Sequence, residues 1–353
     1  MLLVGGNRSA RSLLPGGIIT PRTKKVLRLA AQIIIVGAIF YFLGKKIRQD
    51  WPEITSRDWQ FSYPWLVLSF ILLSILYLGH ACGWLIILWR FNHPVPFLPG
   101  LYVWFKSLLA RYIPGNVVMV VGRVMMIEPY GVPKRASLTS VAYEQALLGA
   151  SAATAIAIVL PFWPKLQNFS QMIWIVLIVP PLAIICLHPA ILGRFGNYVF
   201  SKLKRETIEE FLPFMDVIGI FLFYCLFWIV AGLGMFAMVN TVTKIDLSDL
   251  PIIIASAPLA WLTSVLFFIS PSGLGVREGV YAFTLDFAFE SAGAAAAFAI
   301  LVRFWQTLVE LALVAIIMAL VKIRHIKIRP GAATGALDDE EPETGHEHNP
   351  GPG

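Results

Sequence analysis

Six charged residues lie within or beside long apolar stretches of the sequence: Arg123, Glu144, Arg277, Glu278, Arg303 and Glu310. An isolated charge at the centre of a membrane span costs about 2.5–3.5 kcal/mol on insertion scales, so such residues usually face a polar cavity or one another. Arginine suits phosphate because its planar guanidinium can donate hydrogen bonds to two oxygens at once. We therefore predict that Arg123 and Arg277 bind an anionic group in a cavity near the middle of a membrane.

The remaining charges allow two interpretations. Glu144, Glu278 and Glu310 would orient the arginines, or would bind a proton or a cation. Arg303, Gln306 and Glu310 fall on one helical face by their spacing, which favours a polar stripe beside the cavity. The alternative is that the six charges pair with one another and only lock the helices together.

Proline and glycine residues lie shortly before each of the two arginines: Pro114, Gly115, Gly273 and Gly275. Backbone N–H groups at glycines can approach an anion closely, so these four residues join the predicted substrate-binding set. The sequence has no nucleotide-binding, zinc-protease or hydrolase motif, and its three cysteines lack the spacing of a metal site. We therefore expect no catalytic residue, no enzyme activity, and no bound cofactor or metal.

The composition is that of a membrane protein. Apolar residues make up 58% of the chain, charged residues only 14%, and the mean hydropathy is +0.73. The apolar runs are continuous and long enough to cross about 30 Å of hydrocarbon as helices. They lack the alternation of a membrane barrel. These features predict an all-α polytopic membrane protein with no nucleic-acid partner.

The apolar runs predict six full spans: Leu27–Leu43, Pro64–Leu88, Ser137–Phe162, Met172–Leu192, Phe211–Val239 and Ala294–Val321. Two further segments, Pro96–Tyr130 and Pro251–Glu290, are apolar on average but are interrupted by Pro, Gly and charge. We predict that each of these is a re-entrant segment, which enters the membrane and returns on its own side. The transmembrane domain would cover residues 26–325, between a basic N-terminal segment (1–25) and a disordered acidic tail (326–353).

The charges of the loops and the order of the segments suggest an inverted repeat. Lys and Arg cluster near both termini, which predicts that both are cytoplasmic. The spans around the first broken segment run in the opposite sense to those around the second. Both spans that follow a break contain small residues, beginning at Gly149 and Gly293, which allow close helix approach. Interrupted segments at matching places in two halves are typical of a transporter binding site.

Three ordered motifs give the chain a family resemblance: Arg111-Tyr-Ile-Pro-Gly115 with Gly122-Arg123, Gly131-Val-Pro with Glu144 downstream, and Ser270-Pro-Ser-Gly-Leu-Gly-Val-Arg-Glu278 followed by the span of Arg303. Over roughly residues 25–325, the chain resembles the transmembrane, flippase-like domain family of lysylphosphatidylglycerol synthetases. The sequence has Pro271-Ser272-Gly273 where many relatives have Pro-Gly-Gly. It contains no aminoacyl-transfer domain of the full synthetases, so lysine transfer is not expected.

The resemblance implies a helical membrane domain with re-entrant segments that moves a lipid between leaflets, in a plasma (inner) membrane. It also places Arg123, Glu144, Arg277, Glu278 and Arg303 around the lipid path. We therefore expect a flippase for an anionic phospholipid or a polyprenyl-phosphate-linked sugar, working downhill or coupled to an ion. One alternative is a non-transporting membrane partner of a glycosyltransferase or lipid synthase. A second is a membrane enzyme that acts on lipid phosphate.

Overall fold

The described part of the protein is entirely helical. The computed structural model describes residues 61–110, 117–162, 172–191, 211–266, 273–289 and 291–324, with a few positions between 41 and 56 and at 193–194. No strand is present among these residues. The predicted span Leu27–Leu43 (apart from Tyr41), the basic segment 1–25 and the tail 326–353 lie outside them.

The helices of the described residues follow one another with short connections. They are α1 (Trp51–Ser56), α2 (Tyr63–Arg90), α3 (Phe97–Leu109), α4 (Val117–Ile127), α5 (Lys134–Val159), α6 (Met172–Cys186), α7 (Phe214–Asn240), α8 (Leu250–Leu266), α9 (Val276–Thr284) and α10 (Ala292–Ile323). Their ends carry ordinary helix signals. Pro64 occupies the first turn of α2, where a missing N–H costs nothing, and Arg90 lies in its last turn. The Ser291 hydroxyl accepts a hydrogen bond from the Ala294 N–H and caps α10.

Five helices of the described residues are long and apolar enough to cross a membrane: Tyr63–Arg90, Lys134–Val159, Phe214–Asn240, Leu247–Leu266 and Ala292–Ile323. The protein is therefore a multi-pass membrane protein. Four of these helices coincide, within three residues at each end, with predicted spans. Phe97–Leu109 is a shorter apolar helix in the first predicted broken segment.

Two of the predicted segments differ from the observed helices. Helix α6 has 15 residues and ends at Cys186, short of the predicted Leu192. A turn at Leu187 and His188 follows it, and Pro189 disfavours helix at the residue before it. Leu247–Leu266, in the second predicted broken segment, is by length and composition a candidate span.

Helices α2 and α7 pack side by side and run in opposite directions. At one end of the pair, the Ser62 N–H donates to the Thr241 carbonyl at 2.9 Å. At the other end, Arg90 forms an ion pair with Asp216, with 3.4 Å between Nη2 and Oδ1. These two contacts give the bundle two distinct ends.

Glycines of α2 allow aromatic side chains of α7 to lie directly against its backbone. A Cβ atom added at Gly79 would lie 2.0 Å from the ring of Phe227, and one at Gly83 would lie 2.5 Å from the Tyr224 hydroxyl. A larger residue at either position would therefore force the two helices apart.

The chain leaves α2 and enters α5 at the same end of the bundle. Phe91, directly after α2, packs edge-to-face on Tyr143 in the first half of α5, with 5.7 Å between the ring centroids. The segment between these helices contains α3 and α4, which pack against each other. Together α3 and α4 form the first broken pair, and α8 and α9 form the second.

The two sets of four helices, α2–α5 and α7–α10, pack with matching neighbours. Helix α3 packs on α10, and its counterpart α8 packs on α5. Helix α5 also packs on α7, and its counterpart α10 packs on α2. Each broken pair therefore lies against the last helix of the other set, so the two sets interlock.

Candidate binding site

A cavity of about 260 Å³ lies where the two broken pairs meet inside the bundle. Helices α2 to α5 and α7 to α10 each contribute at least one residue to its wall. The polar and aromatic residues of the wall are Tyr77, His80, Trp104, Arg123, Glu144, Gln145, Trp228, Trp261, Ser264, Arg277, Tyr281 and Gln306. The cavity therefore brings together parts of the chain that are more than 200 residues apart.

Arg123 is held at the cavity wall by contacts on three sides. Its side chain is only 2% exposed, and Nη1 lies 2.5 Å from Oε2 of Glu144. Nε donates to the Ser107 hydroxyl at 3.0 Å. The guanidinium also lies over two indole rings, 5.0 Å from that of Trp84 and 5.5 Å from that of Trp104. These contacts compensate a buried charge and fix its position.

Glu144 is equally constrained. Its second oxygen, Oε1, accepts a hydrogen bond from Nε1 of Trp104 at 2.9 Å. Both carboxylate oxygens therefore have partners, one charged and one neutral. The Arg123–Glu144 pair joins α4 to α5, and Trp104 adds α3 to the same network.

Arg277 lies at the cavity wall on the opposite broken pair. Its Nε donates to the Ser264 hydroxyl at 3.0 Å, which joins the start of α9 to the end of α8. Gly273 makes this approach possible, because it adopts a φ of +68° and a Cβ there would lie 2.5 Å from the Cβ of Ser264. Only glycine adopts that backbone conformation without strain. The side chain of Arg277 is less buried than that of Arg123.

The two broken pairs share one pattern of contacts. In each pair a Trp-x-x-Ser sequence ends the first helix, as Trp104–Ser107 in α3 and Trp261–Ser264 in α8. In each, the serine hydroxyl donates to the tryptophan carbonyl and accepts from the Nε of the arginine on the returning helix. Two distant parts of the sequence thus build the same local arrangement around one cavity.

Glu278 and Arg303 form a second buried pair beside the cavity. Arg303 Nε lies 3.5 Å from Oε1 of Glu278, whose side chain is 1% exposed. The other oxygen, Oε2, accepts from the Gly275 N–H at 2.6 Å. A carboxylate at the third helical position that bonds back to the residue before the helix stabilises the helix start. Glu278 therefore positions α9, which bears Arg277.

Two further polar contacts join α10 to the cavity wall. The Tyr77 hydroxyl donates a hydrogen bond to Oε1 of Glu310, which links α2 to α10. Nε2 of Gln306 donates to the Tyr281 hydroxyl at 3.0 Å. Oε1 of Gln306 and Nε2 of His80 are buried and have no hydrogen-bond partner among the described residues. Both residues line the cavity, and these two atoms are themselves buried.

The family of the chain follows from comparison with known proteins. The family described as Lysylphosphatidylglycerol synthase TM region matches residues 29–314, which is most of the chain. The chain belongs to this family. No match was found among curated proteins or among solved structures. The matched region contains every helix of the described residues except the last turns of α10.

The predicted site residues of this family member fall into three groups. Arg123, Glu144, Arg277 and Gly273 line the cavity. Glu278, Arg303, Glu310 and Gly275 do not line it: Glu278 lies in α9 and contacts Gly275 and Arg303, and Glu310 contacts Tyr77 of the cavity wall. Pro114 and Gly115 lie outside the described residues. The role of these residues in binding stays a prediction.

Several residues at the site were not predicted. Trp104, Trp261, Ser107 and Ser264 appear in the sequence as ordinary members of apolar runs, although the Trp-x-x-Ser pattern precedes both breaks. That repeated pattern is the signal that could have found them. The described residues contain no cluster of three or more His, Cys, Asp or Glu that could bind a metal ion.

Proposed function

We propose that the protein moves an anionic lipid between the two leaflets of the membrane, and that its headgroup passes through the cavity. The observation that supports this most directly is the pair of arginines, Arg123 and Arg277, at one interior cavity. Among the described residues, the wall contains two arginines and one glutamate, so their formal charge favours an anion. Membership of a flippase-like family agrees with this function.

The arrangement of the broken pairs supports an inverted repeat with two re-entrant segments. Helices α2 and α7 run antiparallel, and the neighbours of α2–α5 match those of α7–α10. The C-terminal end of α2 and the first half of α5 lie at the same end of the bundle, as a re-entrant α3–α4 pair requires. In the second pair, Arg277 contacts Ser264 inside the bundle, so the chain turns back beside the cavity. Such breaks at the repeat interface are where transporters bind substrate.

The lipid tails would stay in the bilayer while the headgroup crosses. Gln145 of α5 and Val265 of α8 both line the cavity and are exposed. The cavity would open sideways to lipid beside these two residues. Rocking of one repeat against the other, with Arg277 and Arg123 near the pivot, would then present the headgroup to either leaflet.

We also propose that the protein is a transporter and not an enzyme, in a plasma (inner) membrane with both termini cytoplasmic. Among the described residues, the cavity wall has one carboxylate, and both of its oxygens already accept hydrogen bonds. The energy source would be the lipid gradient or a coupled ion, since the sequence has no nucleotide-binding motif.

The first prediction concerns Arg277. In liposomes with fluorescent phosphatidylglycerol, Arg277→Gln should slow leaflet exchange by about tenfold or more, because a hydrogen bond to a charged group contributes about 1.5–3 kcal/mol. The rate is measured by dithionite quenching of the outer leaflet. Arg90→Gln, which removes the ion pair with Asp216 at the end of the bundle, is the matched control and should keep the rate.

Full exchange by the Arg277→Gln protein would contradict the proposed role of the cavity.

The second candidate function is a membrane partner of a glycosyltransferase or lipid synthase. It is favoured by the ion pairs Arg123–Glu144 and Glu278–Arg303, which give four of the six interior charges a structural use. It predicts no exchange by the wild type and tight co-purification with an enzyme.

A further inference from the structure

We propose that Ser264 is a positioning residue for Arg277, which fixes the guanidinium so that an anion binds only its terminal nitrogen atoms. The proposal rests on the proposed function and gives a task to a residue of the same cavity wall that does not bind the substrate itself. It follows from the hydrogen bonds of Ser264 and from the recurrence of the same contact in the other broken pair.

The Ser264 hydroxyl faces Arg277 as an acceptor. A serine hydroxyl has a single proton to donate and lone pairs that accept. In Ser264 the proton is donated to the Trp261 carbonyl, with 2.6 Å between the two oxygens. The lone pairs remain, and they accept the Nε–H of Arg277 at 3.0 Å. Although Ser264 lines the cavity, it therefore has no proton left for an anion and can act on one only through Arg277.

This contact selects the edge of the guanidinium that meets an anion. The N–H donors of arginine form a planar fork, and two of them can bind two oxygens of one anion. Because the Nε–H is donated to Ser264, an anion at Arg277 must use the terminal Nη atoms. The side chain of Arg277 is partly exposed, so the hydrogen bond also restricts rotamers that would otherwise be open to it.

The same contact recurs at Arg123 across a connection of different length. The serine and the arginine are 16 residues apart in the first broken pair and 13 in the second, yet Oγ and Nε lie 3.0 Å apart in both. Ser107 also donates its proton to the carbonyl three residues earlier, at 2.7 Å. The feature that the two pairs share is therefore the orientation of an arginine by a serine, and not the length of the loop.

The first experiment removes the hydroxyl alone. Ser264→Ala keeps the Cβ atom that lies close to Gly273, so the packing of the turn is retained. In liposomes with fluorescent phosphatidylglycerol, we expect leaflet exchange to be about fivefold slower than in the wild type, because Arg277 loses its fixed orientation. Thr263→Val is the matched control and should keep the rate. Its hydroxyl donates to the Leu259 carbonyl of the same helix, and it does not line the cavity.

A second background separates positioning from a purely structural role. Arg277→Lys keeps the positive charge but places a methylene group where arginine has Nε–H. If Ser264 acts through that N–H, adding Ser264→Ala to the Arg277→Lys protein should change its rate by less than about twofold, so the two changes are not additive. A serine that only stabilises the fold would lower the rate by the same factor in both backgrounds.

The outcomes separate this role from the proposed function. If Ser264→Ala exchanges lipid as fast as the wild type, or loses the same factor in both backgrounds, Ser264 does not position Arg277 and the flippase function stands. If the wild type exchanges no lipid, the proposed function is wrong and the positioning role falls with it.

Discussion

At the scale of single residues, the buried Arg123–Glu144 pair couples stability to function. Both side chains are at most 2% exposed, so neither charge can turn to water if its partner is removed. Breaking a buried pair costs about 3–5 kcal/mol, whereas replacing both partners with apolar residues of similar volume is often neutral. This asymmetry allows the structural role of the pair to be separated from its role in binding.

Glu144→Gln should therefore lower the melting temperature of the purified protein in detergent far more than the double change Arg123→Met with Glu144→Met. Lipid exchange should be lost in both proteins. The single variant lacks the carboxylate that holds Arg123 in position, and the double variant lacks Arg123 itself. The matched control is the exposed pair between Glu128 and Lys134, where a surface ion pair contributes about 0–1 kcal/mol and Lys134→Met should change little. Transport by a stable double variant would show that Arg123 is only structural.

At the scale of elements, the turn into α9 determines where Arg277 lies. Gly273 and Gly275 both have positive φ values, of +68° and +83°, so two successive bends bring Arg277 back to Ser264. Glu278 then stabilises the start of α9 through the Gly275 N–H. The backbone conformation of the turn before α9 therefore determines the position of Arg277.

Gly273→Ala should reduce lipid exchange strongly. The new Cβ would lie 2.5 Å from that of Ser264, and a non-glycine residue with positive φ costs about 1–3 kcal/mol, so the start of α9 must shift. Gly279→Ala is the control in the same helix. It has open space around its position, and alanine favours helix by about 0.5–1 kcal/mol. Equal exchange rates for the two variants would show that the turn does not position Arg277.

The sequence predicts long elements better than the contacts between them. A span must be continuously apolar, so α2, α5, α7 and α10 could be located to within three residues from hydropathy alone. The tryptophan and serine of each broken pair contribute nothing distinctive to hydropathy. The choice of Glu144 as the partner of Arg123 depends on how α4 packs on α5, which no local pattern encodes.

At the scale of the whole molecule, the antiparallel α2–α7 pair defines two opposite ends. The Arg90–Asp216 end carries basic flanking residues, which predicts a cytoplasmic location, and the Ser62–Thr241 end then faces outward. Pro94 and Lys244 are exposed residues near these respective ends.

A cysteine at Lys244 should react with an impermeant maleimide on intact cells, and a cysteine at Pro94 should react only after the membrane is opened. Both are made in a background with Cys82, Cys186 and Cys225 changed to alanine, and that background without a new cysteine is the control. Labelling with the two positions reversed would overturn the proposed orientation without affecting the fold.

The interlocked packing of the two sets of helices has a consequence for biogenesis. Helices α3 and α5 emerge from the ribosome before α8 and α10, which are their packing partners in the other set. During synthesis, the first set of helices therefore enters the bilayer before the second set. Until then, Trp104 and Glu144 line only part of the cavity wall. Separately expressed halves should each be degraded by membrane quality control, and should persist only when both are made together.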